Sequence, residues 1–441
     1  MIALFRSRSK LIVAVSVALI GLGCSSDPDS GGADDSSYLG LAPPKDGFQI
    51  RSVGADIPVG ADVEYCEVGR LPGKSTDTYY VKSFEFGNGV NSHHLIVSAA
   101  TPGGPIEPKL QALGIGNRIE CLSAQTAFGE VGFESVGGSQ QPYASIEYPP
   151  GVGREYHGGQ YVVFDYHYLN TTQETVKARS AVNFHLADAA AIEHIARGFA
   201  FTNLTIDTPA GQNGTFTAEC HFDADLVLSG LARHTHRWGT DYSVWFAGGP
   251  HDGESIWTSR SWEHDVEYEF PEPLLMKAGE GLKFQCSYQN TTSRALRFGT
   301  SATDEMCILF GLVWEANAGQ TLPSQDCDVN WVDAGGTGHP ADEAGGFPMP
   351  SASEASICIS GRTDTIDECA QCQCDACATP IIKCATDADC QTVLTCLGGC
   401  TGDACAQSCI DPHSSALGLL AQMRGCIEYR CPACSTASSG R

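Results

Sequence analysis

Between residues 48 and 331, apolar and β-branched side chains come in short runs broken by Gly, Pro and Asn clusters, and almost nothing repeats at helical spacing. The runs Tyr79–Phe84, His94–Ser98, Gln160–Tyr168, Val182–Leu186, Tyr242–Phe246, Glu267–Phe270, Leu282–Tyr288 and Cys307–Val313 predict strands. Their regular spacing predicts an all-β region of two tandem antiparallel β-sandwich domains, because a single sandwich of this length would be large. The expected division is residues 46–199 and 200–335. Residues 24–45, rich in Ser, Asp, Gly and Pro, predict a flexible tether, and the Gly, Pro, Ala and Ser of residues 336–357 predict a linker.

Before the tether, Arg6, Arg8 and Lys10 precede the apolar run Leu11–Leu22, which is too short to span a bilayer and ends at Gly21-Leu-Gly-Cys24. This resembles a bacterial lipoprotein signal. Residues 1–23 would then be a signal peptide, Cys24 the lipidated first residue, and the mature chain an outer-membrane lipoprotein, periplasmic or surface-exposed, or otherwise secreted. The formal net charge of −26 opposes nucleic acid and anionic lipid as partners, so membrane contact is expected only through the anchor. With Cys24 set aside, six cysteines lie between Cys66 and Cys327 and fourteen between Cys358 and Cys434. Both counts are even, as paired disulfides in an oxidising compartment require.

Candidate chemistry concentrates in Leu231-Ala-Arg-His-Thr-His-Arg-Trp-Gly239. In an extended strand, residues two apart share a face, so His234 and His236 can offer two imidazoles to one metal. Three more stretches that read as strand carry a ligand type: His93-His94, His167 and Met306. Adjacent His93 and His94 face opposite ways in a regular strand, so joint ligation requires a bulge or a strand end. Alone, each motif has a bland reading, as an exposed or half-buried strand histidine or as a core methionine. Together, five imidazoles and one thioether suit copper cycling through Cu(I) better than zinc, because thioether sulfur is soft. The remaining histidines, 157, 185, 194, 221, 251, 264, 339 and 413, read as surface or structural.

The His93-His94-Leu-Ile run, the segment Gly159-Gln-Tyr-Val-Val-Phe-Asp-Tyr-His-Tyr-Leu-Asn170, the His234-Thr-His236 triplet and the Glu305-Met-Cys307 triplet resemble, in order and approximate spacing, the copper type II ascorbate-dependent monooxygenases. That family includes peptidylglycine α-hydroxylating monooxygenase and dopamine β-hydroxylase, and the resemblance covers roughly residues 46–335. It implies two copper ions per chain. His93, His94 and His167 would hold an electron-transfer copper, and His234, His236 and Met306 an oxygen-binding copper that carries the catalysis. The implied reaction is hydroxylation of a C–H bond of a small-molecule substrate, with O2 and an external electron donor such as ascorbate as co-substrates. The resemblance also implies three disulfides, Cys66–Cys121, Cys220–Cys327 and Cys286–Cys307, and two coppers facing each other across a solvent-filled cleft with no bridging side chain.

Substrate recognition departs from the family pattern. Peptide-amidating members hold the substrate carboxylate with an Arg two residues before the His-x-His pair and with an Asn and a Tyr two and four residues after the Met; here these are Ala232, Ile308 and Phe310. Arg233 cannot simply replace that Arg, because neighbouring strand residues face opposite ways. Peptide amidation is therefore not expected, and Ile308 and Phe310 suggest an apolar substrate pocket. The position two before His167, a Gln in some members, is Asp165.

The segment 358–435 is separate. Cys369, Cys372, Cys374 and Cys377 could bind a metal, but helix-like cysteine spacing outside the cytoplasm favours a small disulfide-rich helical module. A protein partner for it is possible. Two rivals to the copper enzyme remain: a zinc hydrolase using His234 and His236, and a non-catalytic copper-binding or adhesive surface lipoprotein.

Overall fold

The computed structural model describes residues 39–434 apart from 105, 122–131, 261, 263–266, 300, 302, 318, 323–324, 326, 341–346, 364–365, 401–402 and 432–433. The expected signal peptide, Cys24 and His264 lie outside the described residues. Every one of the eight expected runs falls on a strand, with Gln160 and Cys307 one residue outside theirs.

The first domain is a sandwich of two sheets. One runs Gly47–Arg51, Ser180–Ala187, Thr78–Asn88, Val152–His157, His194–Ile195, with Tyr143–Glu147 also on Thr78–Asn88; the other runs Arg118–Glu120, Asp62–Arg70, Tyr161–Leu169, Ser92–Ala100, Phe133–Ser139. Alternation explains the core. Phe84, Phe86, Val182 and Phe184 come from the first sheet, and Leu95, Val97, Val162 and Phe164 from the second, all buried.

In the second domain, ten strands from Arg197–Asn203 to Thr337–Pro340 form one continuous ladder. It folds over on itself. The Tyr242 hydroxyl, six ladder positions from Ile308–Glu315, donates to the Ile308 carbonyl across the core at 3.0 Å, and Cys286 is bridged to Cys307. Phe199, Phe201, Phe222, Phe284 and Tyr288 fill the space enclosed.

The strand Ile308–Glu315 joins the two domains. Leu309 and Val313 point into the second core, whereas Leu312 and Trp314 pack against the first. Alternation thus gives one strand two apolar faces, and both are used.

Several expectations need correction. The sandwiches are not wholly antiparallel: His194–Ile195 runs parallel to Val152–His157, Arg197–Asn203 to Cys327–Val332, and Asn213–His221 to Thr337–Pro340. The expected linker 336–357 is therefore not all linker, since Thr337–Pro340 completes the second sheet and helix Ala352–Ser360 opens with a capping box at Ser351 and Glu354. Nor is the end of the tether free. Leu41 is buried, and the carbonyls of Leu41 and Ala42 accept from Gln49 and Asn183. A short helix, Glu107–Leu113, also covers the first domain around Leu110.

Residues 352–430 form helices Ala352–Ser360, Glu368–Thr386, Ala388–Leu397, Asp403–Ile410 and Leu417–Arg430. All fourteen cysteines from Cys358 to Cys434 are bridged: 358–374, 369–434, 372–431, 377–426, 384–390, 396–409 and 400–405. That occupies every sulfur of the Cys369–Cys377 cluster, so it has no thiolate to offer a metal.

Truncating Phe284, which is fully buried in the second core, is expected to cost about 3–5 kcal/mol and to lower the urea midpoint accordingly. An unchanged midpoint for Phe284→Ala would mean that the second core is assembled differently.

Candidate metal centre

His93, His94 and His167 come from the adjacent strands Ser92–Ala100 and Tyr161–Leu169. The ladder pairs His167 with His94 and then Tyr168 with Ser92, which leaves His93 as an extra residue in a bulge. That bulge turns two neighbouring side chains to one side. One nitrogen from each of the three rings lies within 4.8 Å of the others, and the Nδ1 atoms of His93 and His94 are 3.1 Å apart.

The outer nitrogens are held by acids that the sequence reading missed. His167 Nε2 lies 2.6 Å from Asp62 Oδ1, and His94 Nε2 lies 3.0 Å from Glu64 Oε1. Both acids sit on Asp62–Arg70, the other neighbour of Tyr161–Leu169, where Glu64 pairs with His167. A carboxylate accepting from Nε2–H leaves Nδ1 as the atom free to face a metal and raises its basicity. The signal was present: Asp62 and Glu64 share a face, so two acids point from one strand towards the histidine strand. Asp165 stands 3.8 Å from His94 Nε2, on the outer side of the ring.

The second set is held differently. The strand Leu226–His234 ends at His234, so His236 does not lie on the extended strand expected for it. Met306 also precedes its strand, which starts at Ile308. A buried carboxylate ties the two excursions together: Glu305 accepts from the backbone N–H of His236 at 3.0 Å and of Trp238 at 2.8 Å. Beside it, His236 Nδ1 donates to the Asp304 carbonyl at 3.0 Å, which leaves Nε2 as the inward nitrogen. The backbone of Met306 is fixed by the Tyr288 hydroxyl, which donates to its carbonyl at 2.7 Å, and by the neighbouring Cys286–Cys307 bridge. The cysteine pairs Cys66–Cys121 and Cys220–Cys327 are bridged as well.

The two sets are not separated by a cleft. The rings of His93 and His236 have centroids 6.3 Å apart, and those of His94 and His234 6.4 Å, against 5.2 Å between His234 and His236. A side chain also bridges the domains, contrary to expectation: the Gln140 amide, on the turn after Phe133–Ser139, donates to His234 Nδ1 at 2.7 Å. A half-turn of that amide lets its oxygen accept from Nδ1–H and frees Nε2 for a metal. Five imidazoles from two domains therefore form one cluster.

Burial keeps most of these rings neutral. It lowers His93 to about 3 and His236 to about 4, and takes His234 well below the usual range, with neighbouring imidazoles adding to the effect on His93 and His234. Neutral imidazole is the ligand form. His94 is the exception: burial works against its charge, but the Asp165 and Glu64 carboxylates outweigh it and raise the ring to about 10.

Register defines the wall beside His234. Ile308 lies directly opposite His234 and Phe310 opposite Ala232, so all four share a face; Thr202 and Ala200 continue these rows. Arg233 faces the other way, buried and donating to Ser259 Oγ at 3.1 Å. Among the other described histidines, His185, His194, His251, His339 and His413 each lie against an acid, at Glu85, Glu315, Glu254, Asp333 and Asp389. His157 and His221 likewise face Glu155 and Glu219.

Residues 202–330 match the family model described as the copper type II ascorbate-dependent monooxygenase C-terminal domain. This interval contains His234, His236 and Met306. No curated protein matches the chain. Among solved structures, PBCV-1 VP54, fitted into a reconstruction of the virophage Sputnik, is 8% identical over 62% of this chain and 96% of its own, with a TM-score of 0.19. Broad bean stain virus is 7% identical over 69% and 99%, with a TM-score of 0.26. The extracellular domain of ANXUR2 from Arabidopsis thaliana is 8% identical over 64% and 92%, with a TM-score of 0.17. Likenesses this slight assign no shared fold.

Two substitutions probe the supports of the cluster. Glu305→Ala leaves two buried backbone donors without their acceptor and is expected to cost about 3 kcal/mol, read by thermal unfolding, with Glu305→Gln recovering much of it. Asp62→Asn is expected to weaken metal binding at the first set by roughly 10- to 100-fold, measured by competitive titration, while leaving the second set unchanged. Equal effects on both sets would contradict this assignment of partners.

Proposed function

We propose that this protein is a copper-dependent monooxygenase that hydroxylates a C–H bond of a small organic substrate, using O2 and an external one-electron reductant such as ascorbate. In this reading His93, His94 and His167 hold one copper, and His234, His236 and Met306 hold a second. Bound copper would supply the one-electron redox chemistry and O2 activation that protein side chains lack. The observation that carries the proposal is the convergence of five imidazoles at the domain junction, two of which, His234 and His236, lie with Met306 inside the interval resembling the copper monooxygenase C-terminal domain. The donor set fits copper: three imidazoles on one side, and two imidazoles beside a thioether-bearing turn on the other.

The chain's own residues have distinct tasks. Asp62 and Glu64 orient His167 and His94, and Glu305 with the Asp304 carbonyl orients His236. Ile308, Phe310, Ala232 and Ala200, with the hydroxyl-bearing Thr202 beside them, make the wall next to His234 largely apolar, which favours an apolar substrate. No cation of these rows lies on that face, and Arg233 points away, which supports a substrate other than a carboxylate-terminated peptide. A zinc hydrolase is less well supported, because Glu305, the acid beside the second set, has its carboxylate committed to two backbone N–H groups. We also place the protein outside the cytoplasm, a reading supported by ten disulfides.

The decisive measurement is metal content and turnover of the full mature chain after copper loading. Two coppers per chain are expected, with His167→Ala losing one and Met306→Ala weakening Cu(I) at the other by roughly tenfold or more. Ascorbate-dependent O2 uptake should fall with either change. One zinc per chain, or copper indifferent to both substitutions, would sink the proposal.

A further inference from the structure

His236 and Met306 lie off the strand ladder, so the ladder alone does not set their positions. Two lines of contact run from them to the helical C-terminal module. In the first, the Asp304 carbonyl holds the His236 ring while the Asp304 carboxylate, buried, accepts from Arg294 Nη2 at 3.1 Å and from the Ser414 hydroxyl of the module. In the second, the Arg297 carbonyl accepts from Glu305 N at 2.9 Å, and the Arg297 side chain reaches Asp387 of the module and Asp207 of the second domain. Glu305 is the residue that clamps His236 and Trp238, so the two lines meet at the same ligand.

The module's docking surface is built for close contact. Gly418 and Gly425, on helix Leu417–Arg430, approach the Leu204 carbonyl and the Asn330 amide so closely that a Cβ at either position would collide. Gln422 donates to the Leu204 carbonyl at 3.1 Å, and Trp331 of the second domain packs into the module's core beside Phe347. Within the module, Ser414 sits between His413 and Ser415, both bonded to Asp389, and the Cys384–Cys390 bridge brackets Asp387. Both contact residues are therefore held by a cross-linked frame.

We propose that the disulfide-bonded C-terminal module is a brace for the second ligand set, with Ser414 acting through Asp304, and Asp387 through Arg297, as positioning residues. This rests on the copper reading above only for what the set holds; the bracing itself is a property of the metal-free chain.

The test uses the full mature protein with Ser414→Ala, Ser414→Thr and Arg297→Gln, and Arg424→Ala as a control on the exposed face of the module. Hydrogen exchange of the amides at 235–238 and 303–307, without metal, is expected to speed up roughly tenfold in Ser414→Ala and Arg297→Gln. Ser414→Thr, which retains the hydroxyl, and Arg424→Ala should match wild type. With copper, the same two variants should bind Cu(I) at the second set roughly 3- to 10-fold more weakly and leave the first set unchanged. Unchanged exchange and affinity in both variants would overturn the brace. If Ser414→Ala does not fold, Arg297→Gln decides on the same readouts. A wild-type chain that binds no second copper would defeat the copper reading instead, and the exchange measurement would still judge the brace.

Discussion

The carboxylate of Glu305 is fully buried, and it accepts from the backbone N–H groups of His236 and Trp238. A buried acceptor without such partners is costly, so the turn carrying Met306 and the turn carrying His236 cannot drift apart without breaking this clamp. Burial also raises the Glu305 carboxyl to about 8, against the pull of its backbone donors. Each of the two turns has left its strand, and the arrangement of the second ligand set depends on this one side chain being satisfied.

The first set has no such need. A bulge in a central ladder, with acids on the next strand, delivers three imidazoles from regular structure. What brings the two sets within ring-contact range is the strand Ile308–Glu315. Its odd-numbered residues Leu309 and Val313 belong to the second core, while Leu312 and Trp314 belong to the first, so the strand cannot move with one domain alone. Its pairing of Ile308 with His234 then carries the same alternation into the site.

Much of this was legible in the sequence. Period-two apolar runs located the strands, and histidines in or beside those runs located the five-imidazole cluster, because each property is written locally. Less visible were features that depend on partners far along the chain. Gln140 meets His234 across 94 residues, a contact with no local pattern. The Gly-rich stretch around Thr337–Pro340 has no run of apolar residues and reads as linker, yet it pairs with two neighbouring strands through backbone groups. Fourteen closely spaced cysteines announced a cross-linked helical module but not its pairings or the face it presents. Asp62 and Glu64 stand in plain alternation, but acids on a strongly acidic chain look like surface.

The module follows the second sheet in order of synthesis, and a chain folds its earlier domains first. The ladder and its core can therefore assemble before Ser414 and Asp387 exist to meet Asp304 and Arg297. Seven bridges must also close for that frame to become rigid. Maturation of the second ligand set is thereby tied to two late events, completion of the downstream helices and their oxidation. A truncated or reduced chain would carry all five imidazoles and the Met306 thioether and still lack the finished arrangement of His236 and Met306, so side chains written in one part of the chain depend for their geometry on covalent bonds closed in another.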